Sequence, residues 1–179
     1  DLAIGNEHNI YNTDCFCIET GGENQVYEND NGIFRLDSDN GVGWQEESIF
    51  SQDTNSIAWG DANGDGYLDL AVGNGPIYYP ECDCFRNSGS YVYINDRTGK
   101  FPIRKALAGS EQSNIFSLAW GDMDGDGHLD LAASNLTSEN HVYRNDGQGN
   151  FSQAVLLDPV GTGKRTRSIT WGDIDGDGD

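Results

Sequence analysis

A nine-residue frame, D-x-[DN]-x-D-G-x-x-D, is complete at residues 61–69 and 122–130 and begins again at Asp173, each time directly behind Trp-Gly. Its spacing suits Ca2+, a hard cation that takes about six to eight oxygens at about 2.3–2.6 Å from a flexible turn. In such a loop positions 1, 3 and 5 offer side-chain oxygens, position 7 a backbone carbonyl and position 9 a closing carboxylate. The first ligand set is therefore Asp61, Asn63, Asp65, the Tyr67 carbonyl and Asp69. The second is Asp122, Asp124, Asp126, the His128 carbonyl and Asp130. Gly64, Gly66, Gly125 and Gly127 stand where the turn needs φ > 0. D-G and N-G pairs alone also make ordinary hairpin turns, but three copies in one frame favour metal. The loops are not EF-hands, which need a bidentate Glu at position 12; Val72 and Ala133 stand there.

The flanks read as strands, with aromatic and β-branched residues enriched and apolar residues roughly alternating with small or polar ones. Before the loops lie residues 56–59, 116–120 and 168–171; after them lie 68–72 and 129–132. The loop opens a longer repeat. D-L-A-I-G-N at 1–6 recurs as D-L-A-V-G-N at 69–74 and D-L-A-A-S-N at 130–135. V-Y-x-N follows at 26–29, 92–95 and 142–145, and then G-x-F at 32–34, 99–101 and 149–151, before the chain returns to Trp-Gly-Asp. The unit is strand, calcium loop, strand, V-Y-x-N strand and G-x-F strand, with the tryptophans 61 and then 51 residues apart. Four short strands per unit match a β-propeller blade, so the expected fold is all-β with antiparallel four-stranded blades.

The W-G-D-x-[DN]-G-D-G-x-L-D-L-A frame with its downstream V-Y-x-N-D and G-x-F resembles the FG-GAP and VCBS-type repeats of integrin alpha-subunit propellers and of many secreted bacterial proteins. The resemblance spans nearly the whole chain. It implies the propeller fold and calcium ligation at the same two residue sets given above. It leaves function open, because such repeats occur in adhesins, lectin-like modules and domains appended to enzymes.

Composition agrees with a calcium-loaded extracellular protein. Thirty Asp and Glu against ten Lys and Arg give a net charge of −20, which excludes nucleic acid as a partner, since phosphate binding needs clustered basic residues. Carboxylates packed this closely repel one another without metal, so folding is expected to depend on calcium. No apolar stretch approaches the roughly 18 residues of a membrane span. The start at Asp1 lacks signal-peptide features, so the expectation is a mature chain or a piece of a longer one. Asn135 and Asn150 head N-x-[ST] sequons and are candidate glycan sites.

Cys15 and Cys17 lie in an insertion between the D-L-A and V-Y-x-N strands of the first unit, and Cys82 and Cys84 in the matching insertion of the second. An even number of cysteines in a secreted chain implies disulfides. Bridges between the two insertions are favoured over bonds within each C-x-C, with an all-cysteine zinc site as the alternative. Trp59, Trp120 and Trp171 share one repeat position, which points to packing between blades. Trp44, Tyr78 and Tyr79 lie in insertions and are candidate contacts for a carbohydrate or protein ligand. His8, His128 and His141 are scattered, with no Ser or Cys arranged for nucleophilic catalysis. The carboxylates run along a loop rather than across a cleft. No enzyme is expected.

Residues 51–110 and 111–164 each supply a whole blade. Residues 1–50 supply strands two to four of a third, and residues 165–179 its first strand and partial loop. Joined end to end, these pieces lack one residue, and Asp1 then closes the loop of Asp173, Asp175, Asp177 and Asp179. Three blade equivalents are fewer than the roughly four to eight of a closed propeller. The expectation is an open arc: part of a longer propeller, one period of a tandem array, or a subunit whose split blade a neighbour completes into a ring or filament. The functional expectation is a non-enzymatic extracellular module for adhesion or assembly, with self-association or further repeats as partners. The alternative is a noncatalytic, carbohydrate-binding or scaffold part of a secreted carbohydrate-active enzyme.

Overall fold

Alternating apolar and small residues around each Trp-Gly produce short antiparallel strands, and the described residues are all-β apart from a one-turn 3-10 helix at Ser110–Gln112. The computed structural model describes residues 2–4, 10–12, 17–19, 24–36, 53–79, 82–87, 89–159 and 165–174. Before the first Trp-Gly come β1 (Leu2–Ile4), β2 (Ile10–Asn12), β3 (Cys17–Glu19), β4 (Gln25–Asp30) and β5 (Ile33–Leu36). Next come β6 (Thr54–Gly60), β7 (Asp69–Asn74), β8 (Pro76–Tyr79), β9 (Cys84–Asn87), β10 (Tyr91–Ile94) and β11 (Ile103–Ala106). The last are β12 (Ile115–Gly121), β13 (Asp130–Asn135), β14 (His141–Arg144) and β15 (Gln153–Leu156).

They build two complete four-stranded blades, in the order β6-β7-β10-β11 and β12-β13-β14-β15, and a three-stranded N-terminal sheet, β1-β4-β5. Every pairing between these strands is antiparallel. The two blades share their register: Trp59 faces Leu70 and Trp120 faces Leu131, with a shift in the ladder between Thr54 and Ser56 and again between Ile115 and Ser117. Among the described residues no sheet closes on itself, and the architecture is an open stack of propeller-type blades.

G-x-F proves to be a turn with an anchor. Gly99 and Gly149 have φ of 83° and 72°, a conformation open to glycine at little cost, and β11 and β15 start two residues beyond Phe101 and Phe151. The phenylalanines pack on the tryptophans of their own blades, at centroid distances of 6.0 Å for Trp59–Phe101 and 5.8 Å for Trp120–Phe151. The insertions form hairpins, β2–β3 and β8–β9, of matching register: Asn12 faces Cys17 as Tyr79 faces Cys84.

The core lies between blades. Leu70 and Val72 of β7 point back onto Ala3 and Val26 of the N-terminal sheet, while Ala71 points forward into a cluster with Ile115, Leu118, Leu131 and Phe151. Large residues on each backward face thus fit small ones on the forward face before it, as close packing requires. The seam is most crowded at Trp-Gly: a Cβ built on Gly60 would lie 2.6 Å from the Trp120 indole nitrogen, and one on Gly121 2.4 Å from the Trp171 ring. Trp120 Nε1 donates to the Ala58 carbonyl at 3.1 Å, and Trp171 Nε1 to the Ala119 carbonyl at 2.9 Å.

Gly60→Ala is expected to lower stability by about 1–3 kcal/mol through overpacking, read as a lower urea midpoint. A loss under about 0.5 kcal/mol, the range of ordinary surface changes, would contradict a tight seam.

Candidate metal centres

Each loop is wound by its own aspartates. Asp61 accepts from the amides of Asp65 at 3.0 Å and Gly66 at 2.8 Å, and Asp122 accepts from those of Asp126 at 3.2 Å and Gly127 at 2.8 Å. Asp65 and Asp126 then accept from Tyr67 and His128. The glycines act as the spacing predicts, with φ of 69° at Gly64, 87° at Gly66, 69° at Gly125 and 85° at Gly127. The backbone amides orient the carboxylates before any cation arrives, leaving further lone pairs for a ligand.

Position 9 joins the loop to the sheet. Asp69 and Asp130 are buried, and each accepts two backbone amides: Ala62 and Asn95 for Asp69, Met123 and Asn145 for Asp130, at 2.8 to 3.0 Å. Burial raises both carboxyls above the ordinary carboxylate range, and the other loop aspartates push the same way, Asp65 and Asp61 on Asp69, Asp124 and Asp126 on Asp130. Asp65 is lowered, first by the Tyr67 amide and also by Arg97.

Oxygens of Asp122, Asp124 and Asp130 all lie within 4.8 Å of one another. The Arg144 guanidinium sits on Asp124 and reaches Asp126 at 3.9 Å, while Arg97 Nε donates to Asp65 at 3.1 Å. An all-oxygen, multiply anionic set that already draws a cation fits Ca2+.

The supports of each loop come from a distant strand. The asparagine of V-Y-x-N caps the loop: Asn95 donates to the Leu68 carbonyl, and Asn145 to those of Leu129 and, across the seam, Ala62. Their Oδ1 atoms accept from Arg97 and Gly99, and from Gly147 and Gly149, holding the following turn. The recurrence of Asn beside each loop was the available signal, but nothing local showed which carbonyl it would reach.

Other candidates fare differently. Asp1, Cys15, Trp44, Asp175, Asp177 and Asp179 lie outside the described residues, and Asp173 stands exposed at the third loop's start. Tyr78 and Tyr79 lie on β8 and Cys17 on β3. Cys82 bonds to Cys84, not across to the other insertion, which also removes two thiolates from a zinc site. The reason is local: Asp83 turns the hairpin tip with φ of 50° and brings the two Cα atoms to 5.2 Å, within disulfide range. Asn135 is fully buried and donates to the Glu139 carbonyl at 2.6 Å, which leaves no room for a glycan. Asn150 is partly exposed, and its amide donates to Asp146 at 2.7 Å.

Among known families, the FG-GAP-like repeat matches residues 12–72, 82–133 and 122–179, and the FG-GAP repeat matches residues 54–94. No curated protein matches the chain.

A carboxyl whose folded pKa is raised favours the folded state when protonated, and that advantage fades as pH climbs from the unfolded value, about 4. Under chelation Tm should therefore fall as pH rises from about 4 towards neutrality, helped by self-repulsion of the acidic chain. In millimolar calcium it should rise over the same window, because binding needs ionised carboxylates. Scanning calorimetry in both buffers checks this, and a chelated Tm that rises would contradict it.

Proposed function

The chain belongs to the FG-GAP repeat family, and from that premise we propose that it is a non-enzymatic, calcium-stabilised extracellular module for adhesion or assembly. Repeats of this family are in general noncatalytic modules of extracellular proteins. Among the described residues no helix is long and apolar enough to cross a membrane.

The observation that carries the calcium reading is the convergence of Asp122, Asp124 and Asp130 on one point, with Asp130 buried and its pKa raised. Buried like charges are costly without a counterion, and a divalent cation turns that repulsion into attraction. The ligands are Asp61, Asn63, Asp65, the Tyr67 carbonyl and Asp69 in one loop, and Asp122, Asp124, Asp126, the His128 carbonyl and Asp130 in the other. The third loop, from Asp173, takes its last carboxylate from Asp1 of a neighbour or from further residues of a longer chain. The metal clips the β6–β7 and β12–β13 hairpins and so fixes the blades. Insertions on the β8–β9 side, with Phe85 exposed on β9, carry the contact with a protein or glycan, while self-association or further repeats extend the array.

At ten times Kd, each loaded loop adds ~1.4 kcal/mol to stability, with Kd in the range of about 10⁻⁴ to 10⁻³ M. Titration calorimetry should find calcium binding, Asp124→Ala should remove the share of the second loop, and a chelator should lower Tm. An unchanged Tm under chelation would defeat the reading.

A further inference from the structure

Each complete acidic loop has an arginine at the same corner of its turn. The carboxylate at position 5 holds the return of the chain with one oxygen: Asp65 Oδ1 accepts from the Tyr67 amide, and Asp126 Oδ1 from the His128 amide. The arginine lies at the other. In the first loop Arg97 Nε donates to Asp65 Oδ2 at 3.1 Å. In the second the Arg144 guanidinium pairs with Asp124 Oδ2, at position 3, and lies 3.9 Å from Asp126 Oδ2. The chain has only ten Lys and Arg against thirty Asp and Glu, so a basic side chain at both loops is more than composition supplies.

The repeat does not supply it either, because the two arginines come from different positions. Arg97 stands two residues past the V-Y-x-N asparagine, where the second blade has Gly147; Arg144 is the x of V-Y-x-N, where the first blade has Ile94. Arg97 and Gly147 both take positive φ, 72° and 77°, a conformation cheap for glycine and costly for a residue with a side chain. The first blade thus holds a strained residue at its turn, and the side chain placed there reaches Asp65. Packing accounts for the exchange of positions. A Cβ on Gly147 would lie 2.6 Å from the His128 ring, which closes that seat in the second blade. A Cβ on Gly149 would lie 3.0 Å from Ile94 Cδ1, so the first blade commits its strand position to the seam. The same charge reaches the same carboxylate by two routes.

We infer that Arg97 and Arg144 are resident counter-charges of the two loops and set their calcium affinity by competing with the cation. This rests on the calcium reading above and deepens it by naming the residues that tune each site. Asp65, Asp124 and Asp126 can serve as ligands only by sharing or parting an ion pair with a guanidinium. Calcium entry then places two positive charges beside a third, and that repulsion weakens binding. At calcium levels below Kd the same arginine offsets repulsion among the loop carboxylates, so the turn keeps its shape across a wide range of calcium. Both arginine side chains are exposed, which lets each guanidinium swing into solvent as the cation enters and keeps its effect modest.

The test is calcium titration calorimetry on the 179-residue chain and on Arg97→Gln, Arg144→Gln and the double variant, with thermal unfolding of each in calcium and in chelator. Each single variant should tighten one site about three- to tenfold and leave the others unchanged, and the double variant should tighten two. That range is the repulsion of a divalent cation and a guanidinium about 6 Å apart in a water-like dielectric, with and without salt screening. The gain should shrink in about 1 M NaCl, where the Debye length is about 3 Å. In chelator the Gln variants should melt below the parent, and the gap between their Tm values in calcium and in chelator should widen. Arg144→Lys keeps the charge and should stay within about twofold of the parent affinity. A Gln variant that binds calcium no more tightly than the parent overturns the inference, as does a Lys variant as tight as its Gln counterpart. If the parent binds calcium and these results follow, only this inference falls; if the parent takes up no calcium, the calcium reading falls and the inference with it.

Discussion

The buried carboxylate at position 9 is the contact on which each blade depends. Asp69 and Asp130 take one amide from their own loop and one from the V-Y-x-N strand, so a single side chain fixes the Trp hairpin and the third strand together. An ionised group in that place is costly unless its charge is met, and burial raises its pKa accordingly. Backbone amides meet part of it. A bound divalent cation would meet the rest, which couples the winding of the loop to the integrity of the sheet.

From there order spreads by stacking. Each blade's forward face is small, with Ala71 and Gly73 in the first, and its backward face is large, so that Ile115 and Leu118 enter the space above Gly73. The Trp-over-Gly contact sets the angle of the seam and the indole N–H its register. Nothing in that scheme ends by itself: every blade offers a glycine seat forward and an indole backward, and each interface looks like the last. Stability in such an array is a sum of units and neighbour terms, and the outermost faces differ from the inner ones only in what covers them.

The fold and the winding of the acidic loops were largely legible because their signals are local. The D-x-[DN]-x-D-G frame fixes its glycines through φ and its carboxylates through the turn they wind, and D-L-A alternation fixes which residues face each seam. What escaped depended on distance in space. G-x-F looked like a strand, but Gly99 and Gly149 take positive φ and the phenylalanine answers the tryptophan of its own blade, Phe101 to Trp59 and Phe151 to Trp120, far back in the chain. The matched C-x-C pairs suggested a bridge between hairpins, and the tip geometry at Asp83 joined Cys82 to Cys84 instead. The sequon at Asn135 is a pattern of three residues that carries no information on burial.

By itself the sequence determined the repeat, its strand polarity and the glycine-bent acidic turns, since period-two alternation and a positive-φ turn act within a few residues. Only the tertiary structure decided which acceptor each donor meets. Among the described residues Asn145 reaches the Ala62 carbonyl across the seam while Asn95 reaches the Leu68 carbonyl of its own blade, a consequence of stacking order. Identical motifs come to differ because hydrogen bonds and close packing are satisfied between blades, not within them.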